Sequence, residues 1–123
     1  MQKSIQDIAI EMCKVADMKR GTDIVLMDLT KNTSIADYFL IVTANNMKQG
    51  SAIIEEIERV VYKEYNLEVN HKEGNRDSDW VLLDFLDIVI HIFVKDARGF
   101  YDIERLWKDS KTIDISDVLV KED

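Results

Sequence analysis

Apolar positions along the chain switch between two spacings, and the switches outline the fold. Ile5, Ile8, Ala9, Met12, Val15 and Ala16 recur every three to four residues, the interval that lines one face of a helix. Ser4 and Asp7 stand at capping-box spacing before this run, and Lys19-Arg20-Gly21 ends it. Residues 23–29 (DIVLMDL) and 37–43 (DYFLIVT) are short, nearly continuous apolar runs, the pattern of strands buried on both faces. Ile53, Ile54, Ile57, Val60 and Val61 then return to helical spacing, with Glu55, Glu56, Glu58, Arg59 and Lys63 around the rest of the helix. Asn46 is its expected N-cap, with Gln49 three residues on.

The second half begins with a third strand over 67–73, reached by a crossover that is right-handed if this strand runs parallel to the second. Residues 74–79 (GNRDSD) read as a polar loop, two further strands lie within 79–93, and residues 100–107 (FYDIERLW) predict a helix with Phe100, Ile103, Leu106 and Trp107 turned inward. Residues 112–123 alternate weakly and fit either an edge strand or a mobile end. The order αββαβββα predicts one α/β domain of the α+β type, a mixed central sheet of about five strands flanked by helices.

The stretch 79–93, DWVLLDFLDIVIHIF, carries the candidate site. If it is a hairpin with Leu86 and Asp87 at its tip, Phe85 faces Ile88, Leu83 faces Ile90 and Val81 faces Ile92, making one wholly apolar face. The same register pairs Asp84 with Val89, Leu82 with His91 and Trp80 with Phe93 on the other face. A face mixing Trp, Phe, Leu, His and Asp suits a surface half-buried under a partner, where aromatic groups supply area and charges supply selectivity. It equally suits a face covered by a helix of the same chain, with His91 and Asp84 hydrogen-bonded beneath its edge. Leu86 is an awkward tip residue, since two-residue turns favour Gly, Asn or Asp where φ is positive, which leaves a longer loop as the alternative.

Composition narrows the possibilities. Hydrophobic residues at 46% and charged residues at 33% are the balance of a folded domain. The net charge of −8 opposes broad nucleic-acid binding, because phosphate contacts reward Lys and Arg, and it favours a basic partner or plain solubility. Charges break every apolar run near the N-terminus, so neither a signal peptide nor a membrane span is expected and the expected location is cytoplasmic. His71, His91 and Cys13 do not make a zinc set, and Cys13 falls among helical core positions. Ser34 and Ser51 lack recognisable triad partners, so neither a catalytic residue nor a cofactor is expected.

The run DYFLIVTANNMKQGSAI, then EGNRDSDWVLLDFLDIVIHIF and ARGFYDIERLW, resembles the ribosomal silencing factor (RsfS, or Iojap) family over about residues 5–109, leaving a tail of 110–123. The ordered EG pair, W-x-L-L-D, H-I-F ending and F-Y-x-x-E-x-L-W segment carry most of the likeness. Leu86-Asp87 stands where the family usually has Gly-Asp, and TANNMKQ departs at Ala44, Asn46 and Lys48 from the family's T-G-N-S-x-R-Q. The resemblance implies a nucleotidyltransferase-like fold and a non-enzymatic factor. Such a factor binds the large ribosomal subunit through ribosomal protein L fourteen, blocks joining of the small subunit and lowers translation when nutrients are scarce. It also implies that Trp80, Leu82, Asp84 and Phe85 lie near the ribosomal partner; Asp87, His91 and Phe93 are expected at or beside that surface, and Phe85, turned to the core by the register, could reach a partner only from the hairpin tip. The rival readings are a divergent nucleotidyltransferase holding Mg²⁺ on Asp84 and Asp87, and a self-associating module that forms a homodimer through the same face.

Overall fold

In the computed structural model, which describes residues 4–74 and 78–119, α1 (Ile5–Met18) leads into an antiparallel pair, β1 (Thr22–Asp28) and β2 (Tyr38–Ala44). The long helix α2 (Met47–Tyr65) follows, then β3 (His71–Glu73), β4 (Trp80–Asp84) and β5 (Ile88–Val94). Two short helices, α3 (Ala97–Tyr101) and α4 (Ile103–Leu106), and a last strand, β6 (Lys111–Ile113), complete the order. The strands form one mixed sheet in the order β3-β4-β5-β2-β1-β6, with β2 and β5 as a parallel pair and every other pairing antiparallel.

Local chemistry sets the element ends. Ser4 Oγ accepts from Asp7 N at 3.1 Å to start α1, and Asn46 Oδ1 accepts from Gln49 N at 2.9 Å to start α2. Gln49 also turns back, accepting from Asn45 N at 2.7 Å and donating to Arg20 O at 2.6 Å, so the start of α2 is tied to the end of α1. Asn66, left-handed at φ 54, ends α2. At Gly21 a Cβ would stand 2.6 Å from Val42 Cγ1, so only glycine lets the chain pass this close to β2 between α1 and β1.

Strand alternation divides the core in two. Leu40, Val42, Leu83, Ile88, Ile90 and Ile92 face α1 and α2, meeting Met12, Cys13, Ile53 and Ile57, all fully or almost fully buried. On the opposite side Met27, Phe39, Ile41, Val89 and Phe93 are covered by residues 97–107, chiefly Ile103 and the half-buried Trp107.

The tail takes the edge-strand alternative as β6, paired with β1 at Leu26, Met27 and Asp28, which brings the sheet to six strands. Two expectations need correction. The third strand covers only 71–73 and lies at the sheet edge against β4, while Leu67 and Val69 pack against the helical side of the core instead of entering the sheet. The helix expected over 100–107 is broken at Asp102, whose φ of 49 resets the rotation between α3 and α4. Ile103 therefore turns inward at 7% exposure, whereas Phe100 and Leu106, expected inside, are 84% and 76% exposed.

Candidate partner-binding surface

The hairpin of β4 and β5 has the register read from the sequence: Trp80 opposite Phe93, Val81 opposite Ile92, Leu82 opposite His91, Leu83 opposite Ile90 and Asp84 opposite Val89. Its tip is as short as expected. Phe85 N donates to Ile88 O at 2.9 Å and Asp87 N to Phe85 O at 3.1 Å, with Leu86 between them at φ 77. Asp84 Oδ1 accepts from Leu86 N at 2.7 Å and steadies this costly backbone, while Asp87 O accepts from Asp37 N and Tyr38 N and ties the tip to the start of β2.

The seven residues expected at the partner surface separate into two groups. Phe85, His91 and Phe93 are interior, at 4%, 3% and 0% exposure. Phe85 belongs to the core under α1 and α2, whereas His91 and Phe93 lie under the layer formed by α3 and α4. Direct contact is thus not open to them in this conformation; the fold has already used their area. Trp80, Leu82 and Asp84 are half-buried and Asp87 is exposed, as is Leu86. These five, on β4 and its turn, form the accessible part of the site. Residues 73–87 carry five acidic side chains, Glu73, Asp77, Asp79, Asp84 and Asp87, against Arg76 alone; Glu73, Asp79 and Asp87 are exposed, and Arg76 and Asp77 lie outside the described residues.

Trp80 is the hinge between the groups. Its ring stacks on Phe93 with centroids 5.2 Å apart and meets Tyr101 of α3 at 4.7 Å, while Tyr101 touches the exposed Phe100 edge-on at 5.3 Å. Its indole Nε1–H donates to His91 Nδ1 at 3.1 Å. Burial pushes the His91 imidazole down to about 4, so the ring is neutral at ordinary pH, as an Nδ1 acceptor requires.

Sequence reading overlooked Arg98. Its Nε donates to Glu104 Oε1 at 2.8 Å, and its Nη1 donates to Thr43 Oγ1 at 3.1 Å and to the Asp23 carbonyl, which fastens α3 and α4 to β1 and β2. No local pattern marked it, since Lys95 and Arg98 both follow the apolar strand. Among the described residues no group of three or more His, Cys, Asp or Glu side chains could hold a metal ion, and no helix is long and apolar enough to cross a membrane.

Sheet order and cover define a class of small mixed-sheet α+β domain seen in crystal structures from two bacteria. A Chromobacterium violaceum protein superposes with a TM-score of 0.79 at 30% identity, covering 86% of this chain and 88% of that one. A Bacillus halodurans protein superposes with a TM-score of 0.74 at 32% identity, covering 89% and 98%. The family model described as "Ribosomal silencing factor during starvation" matches residues 2–123. The ribosomal silencing factor RsfS of Bacillus subtilis is 41% identical over 114 residues, 93% of each chain. The chloroplastic protein Iojap of Zea mays is 27% identical over 107 residues, 87% of this chain and 46% of that one. The chain belongs to the ribosomal silencing factor family.

Proposed function

We propose that this silencing factor acts in the cytoplasm by docking on the large ribosomal subunit through ribosomal protein L fourteen. There it blocks the small subunit sterically and represses translation under nutrient limitation. The observation that carries the reading is the half-cover of β4: Trp80 and Leu82 share the face on which Phe93 and His91 are sealed, yet α3 and α4 leave both partly open. A half-buried tryptophan beside a half-buried leucine, rimmed by Asp84 and Asp87, supplies the apolar centre and polar rim of a docking site. The rim carboxylates complement a basic protein and speed encounter more than they add affinity. An interface of about 1,200–2,000 Å², the usual size for specific complexes, would place a domain of 123 residues where a second particle could not dock, without any chemistry.

The test is sedimentation of the protein with separated large and small subunits, beside Trp80→Ala. Co-migration with the large subunit alone and fewer joined particles is the expected result, with Trp80→Ala weakening binding by about 2 kcal/mol or more, the loss typical of a buried interface anchor. Circular dichroism must show the variant folded. Absence of binding to either subunit would overturn the reading.

A further inference from the structure

The imidazole of His91 is placed where an imidazole is a poor core filler. It stands mid-way along β5 at 3% exposure, with apolar ladder neighbours, Leu82 on β4 and Ile41 on β2. The Phe39 ring lies 4.6 Å away and the Phe93 ring 6.3 Å away and nearly parallel. Its Nε2 is buried with no hydrogen-bond partner among the described residues. A buried polar group without a partner costs stability, and a phenyl ring could occupy such a site with no polar atom to desolvate. What the imidazole supplies that a phenyl ring cannot is an acceptor at Nδ1, and that atom takes the Trp80 indole N–H at 3.1 Å.

The bond crosses the ladder diagonally, since Trp80 is paired with Phe93 and reaches two residues along β5 to His91. Indole nitrogen is a donor only. Satisfying it inward sets the direction of the ring and leaves the half-buried remainder as an apolar surface with no polar atom to desolvate when covered. Stacking on Phe93 and the contact with Tyr101 fix the ring plane, and the bond to His91 fixes which edge points in. We infer that His91 is a positioning residue that holds the Trp80 indole in its docking orientation before a protein partner arrives. The inference rests on the docking role proposed for Trp80. Pre-organising an anchor in this way lowers the ordering cost that binding must overcome.

Two variants test it: His91→Phe removes the acceptor and keeps a ring, and His91→Asn restores an acceptor, Oδ1, at the reach of Nδ1. The first readout is the Trp80 indole N–H in ¹H–¹⁵N spectra, assigned with Trp80→Phe. In His91→Phe its resonance should move and its exchange with water should quicken at least tenfold, with unfolding midpoint unchanged or raised. In His91→Asn the protection should largely return despite a lower midpoint. The second readout is affinity for the large subunit, expected to fall about tenfold in His91→Phe and recover in His91→Asn, so that binding and stability move in opposite directions. An unperturbed indole signal in His91→Phe overturns the inference without reference to the ribosome. Full binding by His91→Phe, where Trp80→Ala has lost it, also overturns it. Failure of the unaltered protein to bind the large subunit would instead strike the proposed function, and it would remove the docking role on which this inference depends.

Discussion

Arg98→Ala removes a guanidinium that joins three elements, and the structure allows the loss to be worked out. The side chain is 12% exposed and reaches Glu104 on α4, Thr43 on β2 and the Asp23 carbonyl on β1. Glu104 is 39% exposed, so its ion pair is worth only about 0.5 kcal/mol after solvent screening. The bonds to Thr43 and Asp23 each contribute about 1 kcal/mol, with the buried aliphatic stem adding a few tenths, so the total is about 2–3 kcal/mol. The loss should be local first, because α3, α4 and the residue after them meet the rest of the protein mainly through Arg98, Tyr101, Ile103 and Trp107. Urea denaturation would show the lower midpoint, and native-state hydrogen exchange should show amides of 103–107 opening well before those of β5. Arg98→Lys should keep about half the stabilisation at most, since an ammonium cannot span three acceptors as a planar fork does. A loss under about 0.5 kcal/mol in Arg98→Ala, or unchanged exchange at 103–107, would refute the reasoning.

Gly74→Ala should cost about 2–3 kcal/mol by chemical denaturation, because Gly74 sits at φ 96 and an added Cβ would stand 2.6 Å from the Trp80 carbonyl. The Cys13 thiol, fully buried and pushed up to about 12 by desolvation, should resist thiol reagents in the folded protein and react at the rate of unfolding; rapid native labelling would contradict its placement. His91 makes stability pH-dependent: its folded value near 4 lies below the ordinary 6.5, so below pH 6.5 the unfolded chain takes up a proton that the folded chain refuses. Stability should therefore fall by about 2 kcal/mol between pH 7 and 5, with the remainder lost as pH falls through about 4, and His91→Phe should flatten this part of the profile. Equal slopes for the two proteins would show that His91 is not buried as a neutral ring.

Much of the sheet could be read from the sequence because it is decided by period. A shift of one residue in β4 or β5 would send Leu83, Ile90 and Ile92 to the wrong side, so the apolar alternation fixed the hairpin register even with Leu86 at an unfavourable turn position. Ser4 and Asn46 were legible for a similar reason: a cap is local chemistry between residues three apart. The segment 100–107 was not legible, because its apolar residues do fit helical spacing. What breaks the helix is the left-handed backbone of Asp102, and aspartate is common both there and inside helices. The third strand was drawn too long for the same kind of reason, since Leu67 and Val69 look like strand residues but pack, partly buried, against the helical side of the core.

The candidate site shows how far side-chain alternation alone can carry an argument. It put Trp80, Leu82, Asp84, His91 and Phe93 on one face, and they share one, but alternation says nothing about what lies above that face. The answer came from Ile103, Trp107 and Tyr101, which cover β5 more completely than β4 and divide the face into a sealed half and an open half. Because the sealed half holds up the open one, through the Phe93 stack and the His91 acceptor, changes under α3 and α4 should reach the proposed partner surface without touching it. Arg98 has the same consequence at longer range. Loosening α3 frees Tyr101 from Trp80, so a variant built to weaken a cover should also weaken docking, by less than Trp80→Ala and with no change in the exposed carboxylates.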